Sequence, residues 1–471
     1  MSVSRFPKIL LVLVAAAATL VVGYLVATGA AGGTSDADEG GTVLAVPEDA
    51  VAVVPKATAS QAAQAVSTRL FERSDVAVLT AADSASRAAA IATAERLQVP
   101  VLLDDPAAPA ELARLRATTV LTFGETGSVV GATPITGDAA AAEQAVDAAV
   151  GPHQEPQPVE HPALVLMKSA QTFDVAAATA RAAGATVVES SVGDPRRAPE
   201  LAATLADSPD SPVVAVGAPF ADGLDYTVAA VRAQATQLDG TYLALPGSTY
   251  IGVHGELGDP PSWALGRRST DEALATVADG LPRHESAADA FGVDGRFVGL
   301  IEVVATGADP DELNAVLDAA QKAGVYAVLS LTPTDDPWLD QAKSFEDLLA
   351  RPDVGLALDA GSSNLAVDDV DQVAGWLAEQ VAAKPLPQKL FLVHSTKPAG
   401  LAELQTSFPE LATVVQLDVG GPLPGKVAAW RSARTDGPKG VAWGWTERTP
   451  PLTIPETWRY ASPAPAVVMY R

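Results

Sequence analysis

Between about Thr249 and Arg471 the chain alternates short apolar runs with amphipathic stretches of helical period. The apolar runs are Thr249–Val253, Phe297–Ala305, Val325–Leu331, Val354–Leu358, Lys389–Val393, Thr413–Leu417, Gly440–Trp445 and Ala466–Tyr470. Eight strands with helices in most of the gaps predict a (β/α)8 barrel rather than an open sheet. The helix signals have physical causes. Asp309-Pro310-Asp311-Glu312 sets a proline and acids in a first turn, where no backbone donor is lost and the helix dipole is positive. Leu313, Val316, Leu317 and Ala320 then recur on one face, and Gly324 ends the run. Asp340–Leu349 and Asp369–Val381 repeat the pattern, whereas Pro422–Thr435, with Pro424 and Gly425, predicts only a short helix. Leu243–Leu245 competes as a first strand, so the barrel boundary at residue 241 is the loosest one.

Upstream, the same alternation predicts two smaller three-layer α/β units. In residues 42–150, Val51–Val54, Val76–Leu79, Val99–Leu103 and Thr119–Phe123 read as strands, and Ser60–Phe71, Ser84–Leu97 and Pro109–Arg116 as helices. The proline-rich residues 151–162 read as a linker. A second unit, 163–240, has strands Leu164–Met167, Thr186–Glu189 and Val213–Val216 with helices between them. Short continuous apolar runs separated by helices are the mark of parallel sheets covered on both faces.

The first forty residues change the picture from fold to location. Arg5 and Lys8, in an n-region over 1–8, precede an uncharged apolar stretch over 9–28, and a Gly-rich acidic tether over 29–41 follows. As a helix such a stretch spans roughly 30 Å, the thickness of a bilayer core. The basic flank predicts a transmembrane helix or signal anchor with everything beyond it extracytoplasmic, and secretion after signal cleavage as the alternative. The net charge of −26 over 471 residues excludes nucleic acid as an expected partner. The absence of cysteine excludes thiolate chemistry and disulfides. No cofactor is expected: Gly217-Ala218 and Gly420-Gly421 lack the Gly-Lys-Ser/Thr of a phosphate loop.

Ser60–Leu103, an alanine-rich helix leading to "PVLL" at Pro100–Leu103, resembles a cell wall-binding repeat of the type 2 family. Phe297–Arg471, with "GVYAVLSLTP", "LPQKLFLVH" and "GVAWGW", resembles the C-terminal part of uncharacterised actinobacterial exported proteins labelled with that repeat. The resemblance implies an envelope location and a barrel, with cell-wall polysaccharide or peptidoglycan as the ligand. Where those proteins carry Pro-Glu-Trp and Gln-Phe, this chain has Ala360-Gly361-Ser362 and Ser395-Thr396.

Barrels of this type place their chemistry at the C-terminal strand ends. Those ends carry His254 and Glu256, Glu302, Asp359, His394, Asp418, then Trp443, Trp445 and Glu447, and Tyr470. Paired carboxylates beside aromatic faces are what glycosidic cleavage uses. Asp359 and Asp418 are therefore the expected catalytic pair, with His394 as hydrogen-bond partner and Glu302 as the alternative acid. His254, Trp443, Trp445 and Tyr470 are the expected sugar-binding groups. Several also have a plainer reading: Asp359 as a turn acceptor, Glu302 pointing into the barrel core against another polar group, His394 as a hydrogen-bonded strand-end residue, and the period-two tryptophans as core or helix-facing packing. No metal site is expected, because the histidines and acids lack ligand spacing. The expected function is a membrane-anchored envelope protein binding a wall polymer or partner, with a glycoside hydrolase-like enzyme and a solute-binding protein as alternatives.

Overall fold

The computed structural model describes residues 41–471 except 56, 128, 221–222, 259–267, 362–364, 419 and 449–450. The apolar segment over 9–28 lies outside the described residues, and among those residues no helix is long and apolar enough to cross a membrane.

The N-terminal half runs β1 (Val43–Leu44), β2 (Val51–Val54), α1 (Ala59–Leu70), β3 (Phe71–Arg73), β4 (Val76–Thr80), α2 (Ser84–Leu97), β5 (Val101–Leu103), α3 (Ala108–Leu115), β6 (Thr119–Phe123), β7 (Thr133–Ile135) and α4 (Ala139–Val150). It continues through β8 (Leu164–Met167), α5 (Asp174–Ala182), β9 (Thr186–Glu189), α6 (Pro199–Asp207), β10 (Val213–Val216) and α7 (Leu224–Arg232). One parallel sheet has the order β5-β4-β6-β7. The other is β2-β10-β8-β9, with Val51 opposite Val213 and Val54 opposite Val216. The strand Val51–Val54, expected in the first sheet, thus completes the second. Its apolar run marks it as a strand but contains nothing that names its neighbour.

Across 151–162 the halves are not separate cores. Val66 and Val78 from the first half and Val165, Met167 and Ala177 from the second belong to one buried cluster. Helix α5 packs on α1 and α2. Its Thr179 hydroxyl donates to Val101 O (2.7 Å) and accepts from Val101 N (3.1 Å), closing the open edge of β5.

The C-terminal half is a closed barrel of eight parallel strands. They are β11 (Ser248–Gly255), β12 (Arg296–Val304), β13 (Tyr326–Leu331), β14 (Val354–Asp359), β15 (Lys389–Ser395), β16 (Leu411–Leu417), β17 (Ala442–Glu447) and β18 (Val467–Tyr470). Around them lie α8 (Thr270–Asp289), α9 (Pro310–Ala323), α10 (Trp338–Lys343), α11 (Glu346–Leu349), α12 (Val367–Ala383), α13 (Leu423–Asp436) and α14 (Ile454–Tyr460). All eight expected strands are present. The sixth gap corrects the expectation, since α13 runs for 14 residues. Pro424 falls in its first turn, where a missing N–H costs nothing. Leu243–Leu245 is no strand; Ala244 instead packs under Tyr250 and Leu300 at the N-terminal end of the lumen.

The barrel sits on the second sheet's helices through polar ties: Tyr226 donates to Leu386 O (2.9 Å) and Gln237 to Gln388 O (2.7 Å). Thr179→Val, which strands the buried Val101 N–H, is expected to lower unfolding free energy by about 1–3 kcal/mol. Urea unfolding measures this, and an unchanged midpoint contradicts the edge-closing role.

Candidate functional site

Side chains alternate across a strand, so each barrel strand offers every second residue to the lumen. The lumen is apolar through its lower and middle parts: Tyr250, Leu300, Tyr326, Val328, Ala357, Leu390, Leu392, Val414, Val467 and Met469 form one buried cluster. Following the inward positions of each strand in steps of two to its C-terminal end brings up His254, Glu302, Ser330, Asp359, His394, Gln416, Thr446 and Arg471. Every strand contributes one polar residue to this ring.

Glu302 is the hub, with no exposed surface. Its Oε1 accepts from the Ser330 hydroxyl at 2.8 Å, lies 2.8 Å from His394 Nε2 across the lumen, and is 3.5 Å from His254 Nε2. The His394 contact is close but not aligned as a hydrogen bond, so it is chiefly an ion pair. A second chain of charges lies beside it. Arg471 reaches Asp359 Oδ2 at 2.6 Å and Asp418 Oδ2 at 2.8 Å, and Arg448 pairs with Asp418 from the loop after β17. Asp359 Oδ1 accepts from Gly361 N at 2.8 Å, the turn contact expected of an acid before Ala-Gly. Gln416 donates to Thr446 at 3.0 Å and lies over Gly444, where a Cβ would meet its amide oxygen at 1.7 Å. A larger residue there would force the Gln416 amide to move.

Protonation follows from these partners. Burial pushes Glu302 up, but His394, His254 and Ser330 together outweigh it and hold the carboxyl at about 2. Asp359 is likewise pushed up by burial, yet His394 and Arg471 hold it at about 2. Asp418, buried, is kept below its ordinary value by Arg448 and Arg471. Burial lowers His394, but Glu302 overcomes it and the imidazole stays protonated above its usual range. His254 is pushed down to about 4 by burial and is neutral at pH 7. Three carboxylates therefore face one imidazolium and two guanidiniums, and the ring is electrically neutral.

The structure thus brings together His254, Glu302, Asp359, His394 and Asp418. Trp443, Trp445 and Tyr470 are corrections to the expected sugar-binding set. With Gly444 and Thr446 inward, the intervening residues of β17 face the helices. Trp445 stacks edge-on against Trp430 of α13 (centroids 5.4 Å apart) and donates to Glu447 at 2.8 Å. Trp443 packs against Gly437, and Tyr470 lies 3.2 Å from His284 Nε2 on α8. Glu447 is equally outward, held by Lys426 at 3.2 Å and Thr457 at 2.7 Å. Glu256 is exposed beyond β11.

Missed in the sequence were Ser330, Gln416, Thr446, Arg448 and Arg471. Counting by two from any apolar lumen residue finds all except Arg448, which lies on a loop. Among the described residues no group of His, Asp or Glu is arranged to hold a metal ion. No protein-family model, curated protein or solved structure matches this chain.

The histidines and acids set a pH dependence of stability. His254, and His284 on α8, have folded values near 4, below the ordinary 6.5. The unfolded chain therefore binds more protons between those limits, and stability falls as pH drops from about 6.5 to about 4. Glu302 and Asp359 extend the loss toward pH 2. His394 acts oppositely: its contribution is full below 6.5 and is lost as pH rises through its raised value. Urea midpoints are expected to fall steeply from pH 6.5 to 4, and less steeply in His254→Gln. A flat profile contradicts the assignment.

Proposed function

We propose that this chain is an extracytoplasmic envelope protein, held at the plasma membrane by its N-terminal segment, that binds a cell-wall polymer or a protein partner through its α/β sheets and barrel without hydrolysing it. The observation that carries the non-catalytic part is the sharing of Arg471 by Asp359 and Asp418. Glycosidic cleavage needs one carboxyl held protonated while the other is ionised. Here both are ionised and committed to guanidiniums, Glu302 is paired with His394, and the tryptophans face away from the lumen. The envelope setting rests on the sequence: a basic flank, an apolar span, and the likeness of Ser60–Leu103 to wall-binding repeats.

The hydrolase reading retains one observation in its favour, that Asp359 and Asp418 stand on one rim of a closed barrel. Solute binding between the α/β units is disfavoured because α5 fills the space between their sheets.

The test is co-sedimentation of the purified full chain with isolated wall fractions, with reducing-sugar release followed in parallel. Binding without release is the expected outcome. Release that is lost in Asp359→Asn would establish the hydrolase instead, and absence of binding to every fraction removes the polymer as ligand.

A further inference from the structure

Apart from the rim, the outer layer of the barrel contains a cavity of about 520 Å3 between α8, β11 and the segment entering α14. The two helices beside it differ in length. A 20-residue α8 covers about 30 Å, whereas the seven residues of α14 cover about 10 Å. The size falls within the range of small-molecule sites, roughly 300–1,000 Å3.

The lining is apolar along its walls, with Val253, Val277, Ala287 and Ile454. Two guanidiniums, Arg268 and Arg283, line it as well and are exposed, which puts them at its mouth. Arg268 makes a 3.3 Å hydrogen bond to Thr276 and, second to Ser269, helps to hold the nearby Glu272 carboxyl below its ordinary value, although among the described residues neither arginine has a carboxylate within 4 Å. In a chain of net charge −26, two such cations on one apolar cavity select an anion. His284 also lines the cavity and is 2% exposed. Its Nε2 faces the Tyr470 hydroxyl at 3.2 Å, and its Nδ1 is sealed from solvent, out of reach of a ligand in the cavity.

We propose that this cavity binds a small amphiphile, with an apolar body between α8 and the barrel and a single carboxylate taken at the mouth by Arg268 and Arg283. Arginine pairs with carboxylates in charge-assisted, bidentate fashion, and the apolar walls supply the remaining affinity.

Isothermal titration of the full chain with octanoate, octan-1-ol and acetate tests this. Octanoate is expected to bind saturably at one site. Octan-1-ol, lacking the charge, is expected to bind about tenfold more weakly, as is octanoate to Arg268→Ala/Arg283→Ala. Acetate, lacking the apolar body, is expected not to saturate. Gly280 lines the cavity, and a Cβ there meets nothing within 4 Å, so Gly280→Leu fills the space without a backbone clash and is expected to abolish binding. Unchanged circular dichroism verifies that the variants are folded. No saturable octanoate binding overturns the proposal. So does binding that Gly280→Leu leaves intact, and so does equal affinity for octanoate and octan-1-ol.

Discussion

Closing eight parallel strands into a barrel leaves room for only alternate side chains inside, and the rest of the site depends on how those positions are filled. In this chain the inward series begins with Tyr250, Leu300, Tyr326 and Leu390 and ends with His254, Glu302, Asp359 and His394. The lower residues give an apolar floor, which excludes water and lowers the local dielectric. Charges placed directly above such a floor must neutralise one another, since an unpaired buried carboxylate or imidazolium costs several kcal/mol. Glu302 meets that demand from the centre of the lumen by reaching His394 three strands away, with Ser330 beside it. Asp359 and Asp418 meet it at the edge through Arg471.

This neutrality decides what the rim offers. A glycosidase keeps two carboxyls in different protonation states, and it does so by giving them different surroundings. Asp359 and Asp418 have the same partner and shift in the same direction. The acids and histidines that suggest an enzyme in the sequence are therefore consumed by one another in the fold. Nothing in the barrel architecture itself confers activity. The remaining polar capacity is small: Glu302 Oε2, His394 Nδ1 and Gln416 Oε1 are buried without protein partners among the described residues.

The eight barrel strands are readable from sequence because each is a short apolar run bounded by Gly, Pro or a capped helix, and because all are buried on both faces. His254, Glu302, Asp359, His394 and Asp418 are readable too, as polar residues at strand ends. Two kinds of information are not local. The first is partnership: Val51–Val54 looks like any buried strand, and only the folded chain shows that it lies beside Val213–Val216. Counting by two from Met469 places Arg471 in the lumen, but nothing local shows that it locks both aspartates. The second is parity. Trp443 and Trp445 share one face of β17, and that face is outward, with Gly444 inward against Gln416. The phase was present in the sequence, but it is fixed only in the folded chain.

The central claim is that the rim is a closed, neutral ion-pair network with His394 charged and His254 neutral. Heteronuclear NMR titration of the two imidazoles measures this directly in the full chain. The account predicts that His394 titrates above 6.5, that His254 stays neutral until about pH 4, and that Glu302→Gln brings His394 down below the ordinary imidazole range. Two histidines titrating together near 6.5, or a His394 indifferent to Glu302→Gln, would contradict it.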